Sequence, residues 1–285
     1  MKKNKTTFIM VLFFFIGLIV LFYPAISNYS NKKIQAKAIN NYENLIKDIK
    51  EEDYSSYFDK ALSYNKKLLK LSNPLIQYKK LGKVNDILNI NSYGMMGYVS
   101  IDKLNVELPI YYGTSQEILN SKVGLLEGTS YPIGGEGTHS VLSAHRGLPS
   151  SKLFTDLDKL EVGDTFVISI LDRTLTYEVD QILIVKPKEL ESLNIDKKKD
   201  YVTLMTCTPY GINTHRLLVR GHRVENARKK VYISTEAFKV DKIIVCTILC
   251  IPLLIIWMIT IAFSPIKKVI DYESMFVYPN GRKGK

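Results

Sequence analysis

Apolar residues follow three kinds of pattern along this chain, and each predicts a different element. Two runs are apolar almost throughout: FIMVLFFFIGLIVLFY, Phe8 to Tyr23, and IIVCTILCIPLLIIWMITIAF, Ile243 to Phe263. The second carries no charge over 21 residues, close to the roughly 20 needed to cross a bilayer core. It reads as a transmembrane helix, in which Pro252 is tolerated as a kink. The first run is shorter, is preceded by Lys2, Lys3 and Lys5, and is closed by Pro24. It reads as a retained membrane anchor or as a signal segment, with Ala25 and Ser27 as small residues before a cleavage point. Its length slightly exceeds the roughly 7–15 residues of a signal core, which favours retention.

The second pattern spans Asn28 to about Leu88. IQAKAINNYENLIKDIK and SYFDKALSYNKKLLKL place apolar residues three and four apart, with charged residues between them, the signature of amphipathic helix. Asp53 or Ser55 is a fitting cap for the second helix. Asn73-Pro74 then interrupts the pattern, because proline disfavours helical geometry in the residue before it.

The third pattern begins at Gly97. Short runs with turn residues between them read as strands: GYVSI, ELPIYYG, VGLLEGT, HSVLSAH, TFVISI, LTYEVDQILIV, YVTLMTC and RLLVRGHRV. SKLFTDLDKL, after Pro149, reads as a short helix. About eight strands with little helix predict a closed barrel, since closure removes exposed edges. The expected organisation is therefore 1–27 anchor or signal segment, 28–93 helical extension, 94–226 β-barrel, 227–242 linker, 243–263 transmembrane helix and 264–285 tail.

Charge changes the picture by assigning sides. Lys2, Lys3 and Lys5 flank the first run, and Lys267, Lys268, Arg282, Lys283 and Lys285 follow the second. The positive-inside rule places both ends in the cytoplasm and Asn28 to Lys242 outside. Of the formal net charge of +11, the first seven residues and Ser264 to Lys285 hold +3 each, leaving +5 for the outer part. Much of the basic excess is thus a topology signal, and nucleic-acid binding is not indicated.

Cysteine usage sharpens this. Of three cysteines, Cys246 and Cys250 lie in the membrane run, so Cys207 is alone outside. A lone thiol in an oxidising setting forms no internal disulfide and points to a reactive group or an intermolecular bond. A thiol attacks as thiolate, so a histidine and a cation are the partners to seek. Cys207 ends one strand, TPYGINTH turns the chain, and Arg216 opens the return strand at the same end of the barrel. Arg220 lies four residues further on, roughly 13 Å at strand rise, too remote to touch the sulfur. Of His139, His145, His215 and His222, His145 ends the strand HSVLSAH, whereas His139 begins it. The bland alternative is that Cys207 is core filler, as free cysteines often are. No Cys-x-x-Cys or His-x-x-x-His spacing supports a metal, and no cofactor is expected.

TLMTCTPYGINTHRLLVRG, together with NSYGMMGYVSIDKLNVELPIYYGTS, LEGTSYPIGGEGTHSVLSAHRGLPSSKLFTDLDKL and the C-terminal apolar run, closely resembles the class C sortases, the pilin-polymerising transpeptidases of Gram-positive bacteria. The resemblance is dense from Gly94 to Arg223. It implies an eight-stranded sortase-type β-barrel with an N-terminal helical extension and terminal transmembrane helices, and a His145–Cys207–Arg216 site. By that resemblance Cys207 attacks the threonine carbonyl of a Leu-Pro-x-Thr-Gly-like (LPxTG-like) sorting signal, His145 transfers protons, and Arg216 stabilises the oxyanion or holds the peptide. A lysine amine of the next pilin then resolves the thioester. The alternatives are a housekeeping-type sortase that anchors surface proteins to cell-wall precursor, a hydrolase, and a non-catalytic surface module. One departure stands out. Class C members often carry an Asp-Pro-aromatic lid, and here the matching place reads Asn73-Pro74-Leu75. Without the carboxylate and the ring, the expected lid is weaker or differently anchored.

Overall fold

A computed structural model of the chain describes residues 2–49, 51–82, 84, 86–90, 94–226, 250 and 254. The expected linker, C-terminal transmembrane helix and tail lie outside the described residues apart from Cys250 and Leu254, which are helical. Two compact units are formed, Met1–Ile16 with Ser234–Lys285 and Gly17–Ile233. In the first, the described N-terminal residues are helical. The second holds the barrel and its helical cover.

Helix α1 (Lys2–Asp48) contains Pro24 and runs on past the proline that closes the first apolar run. Proline removes one backbone donor and its ring crowds the preceding turn, which ends many helices but kinks rather than ends others. α1 contains the one described helix long and apolar enough to cross a membrane, judged by length and composition. α2 (Glu51–Leu68) begins before both expected caps, which therefore lie inside it. Its residues Tyr54, Phe58, Ala61, Tyr64 and Leu68 are buried in the main core, a stripe at the spacing of one helix face. The polar stretch beyond contains a one-turn helix, α3 (Pro74–Gln77), and a 3₁₀ turn (Tyr78–Leu81).

Eight strands follow, at the places the alternation predicts: β1 (Met95–Ile101), β2 (Val106–Tyr112), β3 (Val123–Leu125), β4 (Thr138–Ser143), β5 (Thr165–Ile170), β6 (Arg173–Val185), β7 (Asp200–Thr208) and β8 (His215–Val224). They close in the order β1-β2-β3-β4-β7-β8-β6-β5. The β2–β3 and β4–β7 pairs are parallel. A short helix, α4 (Gln116–Leu119), bridges β2 and β3. The SKLFTDLDKL segment forms turns and a single 3₁₀ turn (Leu157–Lys159) rather than a helix. Its apolar residues Leu153, Phe154, Leu157 and Leu160 all enter the core, and Leu153 takes a φ of +38°, outside the range of an α-helix.

Side chains alternate across each strand. On β7, Val202 and Leu204 enter the main core, while Met205 and Cys207 face outward with intermediate exposure. A second apolar cluster on that outer face joins Val141 of β4, Met205 of β7, Leu218 of β8 and Leu183 and Val185 of β6, with Leu193. The barrel thus presents an apolar outer groove as well as an apolar interior.

Candidate active site

The register of three strands builds the site. β7 and β8 are antiparallel, with Cys207 directly opposite Arg216. β4 and β7 are parallel, and their register ends at Ser143 opposite Met205. β4 therefore stops two residues short of His145, not at it as the sequence predicts. The pairing nevertheless continues by other means. Ala144 N–H donates to Met205 O at 3.1 Å. Thr206 Oγ1 donates to Ala144 O at 2.8 Å. One residue past His145, Arg146 Nη1 donates to Thr208 Oγ1 at 3.2 Å. The residues on either side of Cys207 thus bind the residues on either side of His145. Continued by two residues, the β4–β7 register sets His145 across from Cys207. Parity agrees, since Val141, Met205 and Leu218, on the same faces as His145, Cys207 and Arg216, share the outer groove.

Each group has a distinct environment. Cys207 is a free, half-buried thiol. Burial holds the His145 imidazole below its ordinary pKa, because water is withdrawn from the charged form. Its Nε2 donates to Gln116 Oε1 of α4 at 3.3 Å. Arg216 Nη1 donates only to backbone carbonyls, of Asn213 at 3.3 Å and His215 at 3.1 Å. Among the described residues no carboxylate neutralises it. The cation beside the cysteine is therefore uncompensated.

The loop bearing His145 is firmly held. The Arg146 side chain, 9% exposed, pairs with Asp158 at 2.5 Å. Phe154 N–H donates to His145 O at 3.2 Å and closes the loop. At Gly147, φ is +75° and a Cβ would lie 2.9 Å from the Tyr210 ring. The loop between β7 and β8 thereby rests on the loop after β4, and glycine is required at the contact. Gln116, Arg146, Asp158, Thr206 and Thr208 support the site; the sequence marks Arg146 only as the neighbour of His145 and does not single out the other four. The threonines bracketing the cysteine in Thr-Cys-Thr were the available signal.

The Asn73-Pro74-Leu75 segment also lies on this face. Leu75 joins the outer groove cluster with Leu126. The backbone of Pro74 and Leu75 comes within 2.9 Å of where a Cβ on Gly128 would sit. Asn73 caps α3 through its own carbonyl, which accepts from Gln77 N–H at 2.9 Å, and its side chain makes no capping bond. The segment's hold on the groove is therefore apolar, through leucine.

His139, the histidine set aside above, is a satisfied core residue. It is 1% exposed. Nδ1 donates to Asn194 O at 3.0 Å, which leaves Nε2 to accept from Thr203 Oγ1 at 2.8 Å. Burial lowers its pKa from 6.5 to about 4, and the Arg220 cation adds to the effect. Between these values the unfolded chain binds a proton that the folded chain does not, so stability falls as pH drops through this window. The full loss is about 3 kcal/mol. Urea denaturation followed by near-ultraviolet circular dichroism at pH 7 and pH 4.5 should show this fall, and His139→Gln should reduce it. An equal fall in both chains would show that His139 is not its source.

A family model described as the sortase domain matches residues 99–224. The chain is 52% identical to sortase C1 from Streptococcus agalactiae, with a TM-score of 0.61 over 67% of this chain and 100% of that structure. It is 48% identical to Clostridium perfringens sortase C, solved with the C-terminal cell wall sorting motif, with a TM-score of 0.60 over 67% and 100% of the two chains. Against sortase D of Bacillus subtilis it is 31% identical over 131 residues, which span 45% of this chain and 63% of that protein. With this barrel and this likeness, the chain belongs to the sortase family and, within it, to the class C sortases.

Proposed function

We propose that this protein is a membrane-anchored cysteine transpeptidase that cleaves an LPxTG-like sorting signal and joins pilin subunits through lysine isopeptide bonds. The observation that carries this reading is the double bracket of Thr206–Ala144 and Thr208–Arg146, which aligns His145 with Cys207 while Arg216 faces the cysteine from β8. The proton of the Cys207 thiol passes to His145 as Sγ attacks the threonine carbonyl, and Arg216 stabilises the charge that develops on its oxygen. His145 delivers a proton to the departing glycine amine, leaving a thioester on Cys207. The amine of the next pilin attacks the thioester, His145 accepts its proton, and the thiol is regenerated as the isopeptide forms. Lifting Leu75 would uncover part of the apolar cluster of Val141, Met205 and Leu218 on the same face for the apolar side chains of such a peptide. Likeness to a sortase C solved with a sorting motif supports this substrate class.

The apolar stretch of α1 serves as the anchor, with the barrel outside the cell and both termini cytoplasmic. Co-expression with a pilin carrying a sorting signal should give a covalent high-mass ladder. A ladder confined to cell-wall precursor adducts would instead favour the housekeeping role.

Asn73, Pro74 and Leu75 act as a leucine-anchored lid. Leu75→Ala removes part of a half-buried apolar contact worth about 1 kcal/mol. Amide exchange across 72–78 and alkylation of Cys207 should both accelerate, by about fivefold. Strong protection of that segment without ligand in the variant would contradict a lid held by Leu75.

A further inference from the structure

The loop that begins at His145 has a second attachment, far from its base. His145 and Phe154 close the base through Phe154 N–H to His145 O. Leu148 and Ser151 form an isolated β-bridge within it. Its tip, Ser150 to Lys152, is gripped by one face of α1. Asn31 Nδ2 donates to Ser150 O at 2.7 Å. Lys152 N–H donates to Asn28 Oδ1 at 3.0 Å. Gln35 Nε2 donates to Ser121 O at 2.7 Å and lies 3.5 Å from Ser151 Oγ. Gln35 and Ser151 are only 6% and 3% exposed.

These positions, 28, 31 and 35, lie three and four apart and so share one helix face. Further along the same face, Ile39 and Tyr42 pack in a small apolar cluster with Met95. Tyr42 is fixed at both ends of its hydroxyl, donating to Met96 O at 2.7 Å and accepting from Leu171 N–H at 2.9 Å. The apolar half therefore docks α1 rigidly on the barrel. In the polar half, Asn28 and Asn31 are spent on the tip of the His145 loop, while Gln35 binds Ser121 O and lies beside Ser151. Amides fixed to backbone groups specify a position, as apolar contacts do not.

We propose that Asn28, Asn31 and Gln35 are positioning residues for His145: by holding the tip of its loop to α1, they set the imidazole against Cys207. The proposal rests on the sortase reading above. It makes the helix that leads from the membrane anchor part of the working site, since errors of about 1 Å in placing a reacting group can cost about 100-fold in rate.

The test uses the full-length protein in detergent micelles and a fluorogenic LPxTG-type peptide. Wild type and Cys207→Ala come first. Cleavage that persists in Cys207→Ala at the wild-type rate refutes the sortase reading itself. With that control inactive, Asn28→Ala/Asn31→Ala should lower kcat about tenfold. KM should stay within about twofold, and the limb of the pH–rate profile governed by His145 should move. Asn28→Asp keeps the acceptor for Lys152 N–H and should recover kcat. Asn31→Asp loses the donor to Ser150 O and should not. An unchanged kcat per folded molecule in the double variant, or identical behaviour of the two aspartate variants, would overturn the positioning role while leaving the sortase reading intact.

Discussion

Replacing Cys207 with alanine is expected to abolish peptide cleavage, lowering kcat by about 10⁴-fold or more, as loss of a covalent nucleophile does elsewhere. The fold should not change with it. Cys207 faces the outer groove, half-buried, and the inward positions beside it are filled by Thr206 and Thr208. Those two threonines hold Ala144 and Arg146 through their own hydroxyls, so the loop of His145 remains in register without the sulfur. Chromatographic detection of cleaved peptide, with a thermal melt on the same sample, checks both halves. Lost activity accompanied by a collapsed melt would mean that the cysteine is structural.

Arg216→Ala should cost about 10²–10³-fold in kcat, or about 3–4 kcal/mol of transition-state stabilisation. The reason lies in what the guanidinium does not touch. Its recorded partners are two carbonyls of its own turn, so its charge is free to meet an oxyanion or a peptide carbonyl. Arg220, on the same strand, is the useful contrast. It is paired with Asp180 at 2.9 Å and stacked on Tyr201 at 4.2 Å, so Arg220→Ala should lower stability with little effect on kcat in the folded fraction. Arg216→Lys should restore only part of the loss, since an ammonium lacks the planar fork. Steady-state kinetics of the three variants separate these outcomes. Full activity in Arg216→Lys would reduce the role of Arg216 to charge alone.

The eight strands were legible because each carries a short apolar or alternating run between turn residues, from GYVSI to RLLVRGHRV. Their order was not. Consecutive strands in sequence usually pair, but β4 pairs in parallel with β7, with β5 and β6 between them in sequence. That single crossover brings His145 beside Cys207. The facing of Cys207 and Arg216 could be read locally, from one hairpin with a turn of known length. Pairing β4 with β7 depends on barrel closure, a property of the whole sheet. Helix ends were misread where local rules compete. Pro24 closes the first apolar run, and α1 continues through it. Asp53 and Ser55 are good caps, yet α2 starts ahead of them. SKLFTDLDKL has helical composition and spacing, but Leu153 takes a positive φ of +38° and the segment forms turns. The lid motif was read from what it lacks, the acid and the ring. Its attachment through Leu75 depends on a groove formed by four different strands, which no local stretch reveals.

The most direct test of the central claim is to trap the acyl-enzyme. The full-length protein is mixed with a sorting-signal peptide, quenched in acid, digested and mapped by mass spectrometry. The mechanism predicts an adduct on Cys207 that contains the peptide up to and including its threonine and is released by hydroxylamine. It predicts less of this adduct in His145→Ala and none in Cys207→Ala. Peptide turnover with no adduct on Cys207, at a rate unchanged in Cys207→Ala, would contradict it.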